Sequence, residues 1–432
     1  MFSKLLSGQP SGIFGIGYED PTTVGIICTI ILLILVVSGV RVVFAASIAG
    51  MIGLVELIGV GPALANIGAI PYSKSVTFVL GLLPIFILIG FLAYQAGMTK
   101  QLYDCAKAWI GFVPGGLAVA TVFATAGFAA VSGASTATAA VFSRVAIPEM
   151  LKEGYDRKLA AGVVAAGGTL ASLIPPSAIL VIYAIIVEES VGALLLAGFL
   201  PGVFSAIVYG AIIIIWAKIN PSLGPPGRRY TFNEKIRALP GVIPIAIVIS
   251  VIISAIYAGW ATPTEAGALG AFVVLIIAVM RGLKLNSLNF ALIETAKLVA
   301  MIFSIIWGVL IFVRFLGFSG LPETFANWII SLPFDPYIVL ILILLGYVVL
   351  GMFIDAIGLL LLTLPVVYPA IILLNGGPDV TADQSPFGMT FNQVSVWFGI
   401  IVVKMAEVCL ICLLYTSDAA DEGLGVDLGG RR

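Results

Sequence analysis

The 432-residue chain is 61% hydrophobic and only 10% charged, with a mean hydropathy of +1.17; a soluble domain of this size would carry roughly a quarter of its residues charged. A formal net charge of −1 without a basic stripe gives no sign of a nucleic-acid partner, and the absence of histidine removes the commonest general base and metal ligand together. Lipid is the solvent this composition implies, and about ten to twelve apolar runs of roughly 20 residues predict an all-α polytopic membrane protein.

In chain order, residues 1–21 form a short soluble or interfacial lead-in. The apolar run from Thr22 is too long for a cleaved signal peptide and predicts a retained helix. Two helices follow around 22–40 and 42–60, joined at Arg41, and another span covers 76–98. The segment TKQLYDCAKAWIG sets Lys100, Asp104 and Lys107 among apolar residues and reads as an amphipathic surface helix. Residues 115–148 have a small, hydroxyl-rich centre, SGASTAT, between two apolar arms. This predicts a re-entrant helical hairpin, because non-helical backbone at membrane depth must face protein or a water-filled cavity. A helix over 159–187 is interrupted at Pro175-Pro176, and a span near 191–217 ends the first half, 22–217.

Residues 218–238 are a proline-containing linker with Lys218, Arg228, Arg229, Lys235 and Arg237, cytoplasmic by the positive-inside bias. The second half, 239–411, repeats the first. FLAYQAGMTKQL aligns with FLGFSGLPETF, Pro114 with Pro336, and Pro148 with Pro369. VSGASTAT then falls opposite GMFIDAIG, predicting a second hairpin near 351–374. Paired interrupted segments in corresponding positions point to the binding site of a secondary transporter. Continuing the alignment, a second Pro-Pro is due at about 412. The chain instead reads CLLYTSDAADEGLGVDLGGRR, which matches a translated sequencing adapter in one frame. Residues 412–432 are therefore expected to be non-native, and the second half truncated after Ile411. Cys28, Cys105, Cys409 and Cys412 form no disulfide framework, and the CxxC at Cys409–Cys412 has no supporting ligand.

Two adjacent prolines lack N–H groups and free several carbonyls of the preceding turn. With Gly167, Gly168 and Thr169 one or two turns earlier, a sodium ion is a natural partner for those oxygens; a compensated proline kink is the plainer alternative. Asp355, an acid costing about 2.5–3.5 kcal/mol at membrane depth, is a functional candidate, or else a helix cap. Arg314, Arg144, Glu56, Lys404 and Glu407 also lie in apolar context, with Arg144 and Lys404 read as interface or pairing residues. Trp260 and Thr262–Glu265 mark a turn between scaffold helices. No HExxH or GxSxG motif and no histidine supports an enzyme, and no catalytic residue is assigned.

The stretches LPIFILIGFLAYQAG, AAVSGASTATAAVFSRVAIPEMLKEGYDRKLAAGVVAAGGTLASLIPPS, GWATPTEAGA and LGMFIDAIGLLLLTLPVVYP closely resemble the large membrane subunit of tripartite ATP-independent periplasmic (TRAP) transporters, from about Thr22 to Ile411. The resemblance implies an elevator-type carrier with two inverted repeats, in the bacterial cytoplasmic (inner) membrane. It further implies sodium-driven import of a small organic anion, a carboxylate or sugar acid. A periplasmic binding protein would deliver it, and a small four-helix membrane subunit would flank the chain. Sodium is then the coupling ion and no other cofactor is expected. A sodium site is expected at Gly133, Ser135, Thr138, Gly167, Gly168 and Thr169, with Gly351 in the second, incomplete site, so that a chain ending this way would not transport. Substrate would be held by Ser132, Ser135, Thr136, Thr169, Pro175, Pro176, Ser177 and Asp355. A single-component elevator carrier for a dicarboxylate or ion is the alternative, distinguished by the absence of partner genes.

Overall fold

Glycines and prolines cut the apolar runs of this chain into helices shorter than the runs themselves. The computed structural model describes residues 20–75 and 78–416, except the side chains of Lys74, Phe78, Val79 and 409–416. The lead-in up to residue 19 and the tail beyond Thr416 lie outside the described residues. Those described fall into two compact units, one built from Gly81–Val181 and Val191–Val299, the other from the residues up to Leu80, Ile182–Ser190 and Ala300–Leu410. Each unit takes helices from both sequence halves.

In the first unit, α4 (Leu82–Gln95) turns by 69° into α5 (Met98–Ile110). The turn is made at Gly97, whose φ of +72° suits a residue without Cβ. α5 is the amphipathic helix expected from Lys100, Asp104 and Lys107, and it packs on α6 (Gly116–Ser132). α6 and α7 (Ser135–Lys152) then form an antiparallel hairpin. The contacts step outward from its turn: Ser132 with Thr138, Phe128 edge-on to Phe142, Thr121 with Met150. α8 (Arg157–Gly168) is capped by Asp156, whose carboxylate accepts the N–H groups of Lys158 and Leu159. The α-helix gives way to a 3-10 turn over Thr169–Ser172, and α9 (Ala178–Val187) begins after the prolines. The 29-residue α10 (Val191–Ile219) follows.

The basic linker is fastened to this unit rather than loose. Gly115 N–H donates to Gly224 O, Asp156 N–H to Leu223 O, and the Tyr155 hydroxyl bridges Leu117 N–H and Pro225 O. Its end forms α11 (Phe232–Ala238), started by a capping box between Thr231 and Glu234. Those Thr231 contacts, the backbone N–H foremost, hold the Glu234 carboxyl below the usual carboxylate range. α13 (Pro263–Met280) packs on α4, and α12 (Ile243–Tyr257) packs on α13 and α6, with the predicted turn at Thr262–Glu265 serving as the capping box of α13.

In the second unit, α1 (Pro21–Val37) packs on α2 (Val42–Ile58). Gly59, at φ +81°, ends α2 and leads into α3 (Val60–Ser75), a helix the sequence reading did not anticipate. α14 (Leu285–Ser319) enters this unit at Ala300. Gly320, at φ +64°, then admits the short amphipathic α15 (Leu321–Ser331). α16 (Pro336–Gly351) and α17 (Ala356–Leu374) follow as a second helical pair, with Tyr347 and Thr363 hydrogen-bonded at 2.6 Å on either side of the turn. This is the same succession as around Gly97: an apolar helix, a left-handed glycine, an amphipathic helix and a helix pair with a broken turn, although α4 has 14 residues and α14 has 35. α18 (Phe391–Thr416) closes the chain described, and Tyr183 donates to Ser395 O on it.

Five helices among the described residues are long and apolar enough to cross a membrane, or up to seven if each sharply bent pair counts as one span. This is fewer than the ten to twelve continuous spans expected. The difference arises because α1, α2, α6, α9 and α16 stop at 10–17 residues, each where a glycine, proline or cap interrupts the apolar run.

Candidate ion and substrate site

The hairpin tip and the proline break meet in the first unit. Gly133 ends α6 with φ +61°, and a Cβ there would lie 2.3 Å from Pro176 O. The Ala178 N–H donates 2.9 Å to Gly133 O, so the tip is hydrogen-bonded to the start of α9. Gly167 and Gly168 allow α8 equally close to the hairpin: a Cβ would stand 2.4 Å from Thr125 Oγ1 at the first and 3.2 Å from Ser135 O at the second. The Pro175–Pro176 peptide is cis. Thus Ser132, Gly133, Ser135, Thr138, Gly167, Gly168, Thr169, Pro175, Pro176 and Ser177 belong to one neighbourhood. Thr136 lies on its exposed edge. Gly351 and Asp355 belong to the other unit.

The hydroxyl groups of this neighbourhood share one orientation. Thr169 donates to Ala166 O at 2.7 Å, Ser172 to Thr169 O at 2.6 Å, and Ser177 to Ser172 O at 2.5 Å. Thr138 donates to Ala134 O at 2.9 Å, which makes Ser132 the donor in their 2.7 Å contact, since a hydroxyl carries one proton. By the same count Tyr209 is the donor in its 3.5 Å contact with Thr169. All five hydroxyl residues, Ser132, Thr138, Thr169, Ser172 and Ser177, are buried to within 1% exposure. Their protons go to other protein oxygens, and what remains is lone pairs. Ala134 O is already filled, since it also accepts the Thr138 N–H at 3.0 Å, and Ser177 Oγ accepts the Leu180 N–H at 3.3 Å; each of the five hydroxyl oxygens still keeps a lone pair. Such a set suits a hard cation, not an anion. The oxygens gathered here are hydroxyls and backbone carbonyls, and so are neutral.

Anion-binding chemistry lies one turn away. α7 starts at Ser135 with Ala134 as its N-cap, and no side chain caps it. Its first-turn N–H groups and the half-exposed Ser135 and exposed Thr136 are the polar groups at this end. In the second unit the equivalent end of α17 is capped: the Asp355 carboxylate accepts the Gly358 N–H at 3.1 Å. The capping alternative for Asp355 is therefore the contact observed. Of the other charged residues singled out, Arg144 and Arg314 are exposed, Lys404 is half-buried, and Glu56 and Glu407 are fully buried.

Residues 24–412 match the family described as "Tripartite ATP-independent periplasmic transporter, DctM component". The chain belongs to that family. It is 33% identical over 302 residues to a C4-dicarboxylate TRAP transporter large permease protein of Pseudomonas aeruginosa, covering 69% of this chain and 70% of that one. A sialic acid TRAP transporter large permease protein of Vibrio cholerae is 30% identical over 294 residues, 68% of each chain. A 2,3-diketo-L-gulonate TRAP transporter large permease protein of Escherichia coli is 27% identical over 319 residues, 73% of each. The chain is thus a large permease subunit of a TRAP transporter, not an enzyme, and the family works with a small membrane subunit and a periplasmic binding protein.

Within this TRAP permease, sequence reasoning missed Ser172 and Tyr209. Ser172 carried a signal, since hydroxyls at 169, 172 and 177 recur along the broken segment where freed carbonyls need donors. Tyr209 carried none, because its meeting with Thr169 depends on how α10 packs.

Proposed function

We propose that this permease is the translocating subunit of a sodium-driven importer of a small organic anion, in the bacterial cytoplasmic membrane, with a small four-helix subunit and a periplasmic binding protein as partners. The observation that carries the reading is the hydroxyl set around the proline break, whose protons are all donated to protein oxygens and whose lone pairs remain. Sodium would take oxygens from Gly133, Ser135, Thr138, Gly167, Gly168 and Thr169, with Ser172 added to that set. Ser132 and Ser177 serve better by fixing those oxygens than as donors to an anion. A substrate carboxylate would lie at the uncapped start of α7, with Ser135 and Thr136, where N–H groups and the helix dipole favour negative charge. Pro175 and Pro176 would wall that site. Gly351 and Asp355 would shape the second hairpin's own site.

The relatives named for C4-dicarboxylate, sialic acid and diketogulonate all carry carboxylates, which supports that substrate class here. The same helix succession in both units, entered at Gly97 and at Gly320, supports two repeats and an elevator-type movement. Thermal unfolding of the purified chain tests the cation assignment. Sodium should raise the midpoint relative to potassium, growing with the logarithm of its concentration above the dissociation constant and reaching about 1.4 kcal/mol at ten times that constant. Equal midpoints in the two salts at every concentration would sink it.

A further inference from the structure

α8 and α10 enclose a groove of about 400 Å³ within the first unit. It is lined at positions spaced i, i+3, i+4 and i+7 from Leu159 on one helix and from Tyr209 on the other, so two continuous helical stripes face each other. At one end stand Asp156, Lys158, Trp216 and the linker residue Leu223; at the other is Tyr209, which donates to Thr169. Between them the lining is aliphatic. We infer that this groove binds one acyl chain of a phospholipid from the leaflet on the side of the basic linker, with the lipid phosphate on Lys158.

Three observations choose this occupant. The groove opens on the exposed apolar face of a 29-residue membrane span, where Ile212 is 53% and Trp216 54% exposed, so its side entrance faces lipid. Its length along α8, from Asp156 to Ala166, is about 15 Å at 1.5 Å per residue, half of a hydrocarbon core of about 30 Å and thus the depth of one leaflet. At its mouth the charges are sorted. The Asp156 carboxylate is held by two N–H groups of the α8 first turn, leaving the exposed Lys158 ammonium for an anionic phosphate. Trp216 beside it suits the headgroup level, where amphipathic rings collect. The tail of such a lipid would end against Tyr209, whose hydroxyl reaches the proline break.

The test is photolabelling. The full chain is reconstituted with a trace of phosphatidylglycerol bearing a diazirine near the end of one acyl chain, and the adducts are mapped by mass spectrometry. Adducts should concentrate at the Tyr209 end of the groove, on 162–166 and 209–213. Gly162→Leu, which puts a side chain into the groove, should lower them by about tenfold, the equivalent of one buried aliphatic side chain. Labelling of another exposed apolar face, Ile341 and Leu345 on α16, should stay unchanged and report that the variant is folded. Lys158→Gln, at an exposed position, should reduce groove labelling by about threefold, the scale of a solvent-exposed charge contact. Groove labelling no denser than that of α16, or insensitive to both substitutions, overturns the inference. Reaction of a Val163→Cys thiol with a membrane-impermeant reagent at the rate of an aqueous thiol would also overturn it, because the groove would then hold water.

Discussion

Replacing Gly133 by alanine separates backbone preference from the contact that joins the hairpin to the proline break. Any L-residue at φ +61° carries a left-handed cost of about 1–2 kcal/mol. At Gly133 the new methyl would also sit 2.3 Å from the carbonyl oxygen of Pro176, a backbone atom that cannot swing aside. The tip must then withdraw, and the 2.9 Å bond from Ala178 N–H to Gly133 O breaks. An orphaned buried N–H adds about 1–3 kcal/mol, so the total should reach about 2–5 kcal/mol. Gly97 is the control: its φ is +72°, yet a Cβ there meets nothing within 4 Å. Gly97→Ala should therefore show only the left-handed cost. The assay is the thermal midpoint of each purified variant in one detergent, measured in potassium and in sodium. Gly133→Ala should unfold earlier than Gly97→Ala and lose the sodium-dependent shift, which Gly97→Ala keeps. Matching midpoints and sodium shifts for the two would refute the account of the tip.

Other substitutions address single contacts. Thr138→Val removes the bond to Ala134 O and leaves the buried Ser132 hydroxyl without its acceptor. A loss of about 1–3 kcal/mol is expected, together with the sodium shift, while Thr138→Ser keeps both. Asp355→Ala should cost about 0.5–2 kcal/mol through the lost cap on α17, seen as faster hydrogen exchange in its first turn. Asp355→Asn should behave as wild type there, and a loss equal to that of alanine would show that charge, not capping, matters. Tyr155→Phe leaves Leu117 N–H and Pro225 O without their shared hydroxyl. Limited proteolysis within 218–238 should speed up; unchanged cleavage would mean the linker is held by its backbone contacts alone.

The parts legible in the sequence were those that break the helical pattern. Gly133 within SGASTAT and the Pro175-Pro176 pair announce non-helical backbone whatever surrounds them. The aligned stretches FLAYQAGMTKQL and FLGFSGLPETF contain Gly97 and Gly320, and both glycines adopt a left-handed φ at the start of the next helix. α3 was missed because Gly59, Gly61 and Pro62 look like a loop, whereas Gly59 alone makes the turn and Pro62 sits in the first turn of the next helix, where its missing N–H costs nothing. Hydroxyl direction was not legible at all. Whether Ser132 or Thr169 offers a proton or a lone pair depends on which carbonyl lies within reach, and that is settled by the helix breaks and by the approach of Gly167 and Gly168 to the hairpin. Composition alone could place the same serines and threonines around an anion.

That direction has a consequence for coupling. The lone pairs of Ser132 and Thr138 and the uncapped amides of α7 lie on one hairpin tip, about one helical turn apart, or about 5 Å. A cation held by the first would stand beside an anion held by the second. At an effective dielectric of about 20 their attraction is on the order of 3 kcal/mol, or about a hundredfold in affinity. Because coupling between two bound ligands is reciprocal, sodium should tighten the binding of a carboxylate substrate by that factor, and the carboxylate should tighten sodium equally. No arginine or lysine at the site is needed, which matches a chain whose buried polar residues at the tip are all neutral. Calorimetric titration of substrate in sodium and in potassium measures the factor directly. Affinities within twofold of each other would mean that the two sites are farther apart, or better screened, than the hairpin geometry implies, and the transport cycle would then need another origin for its coupling.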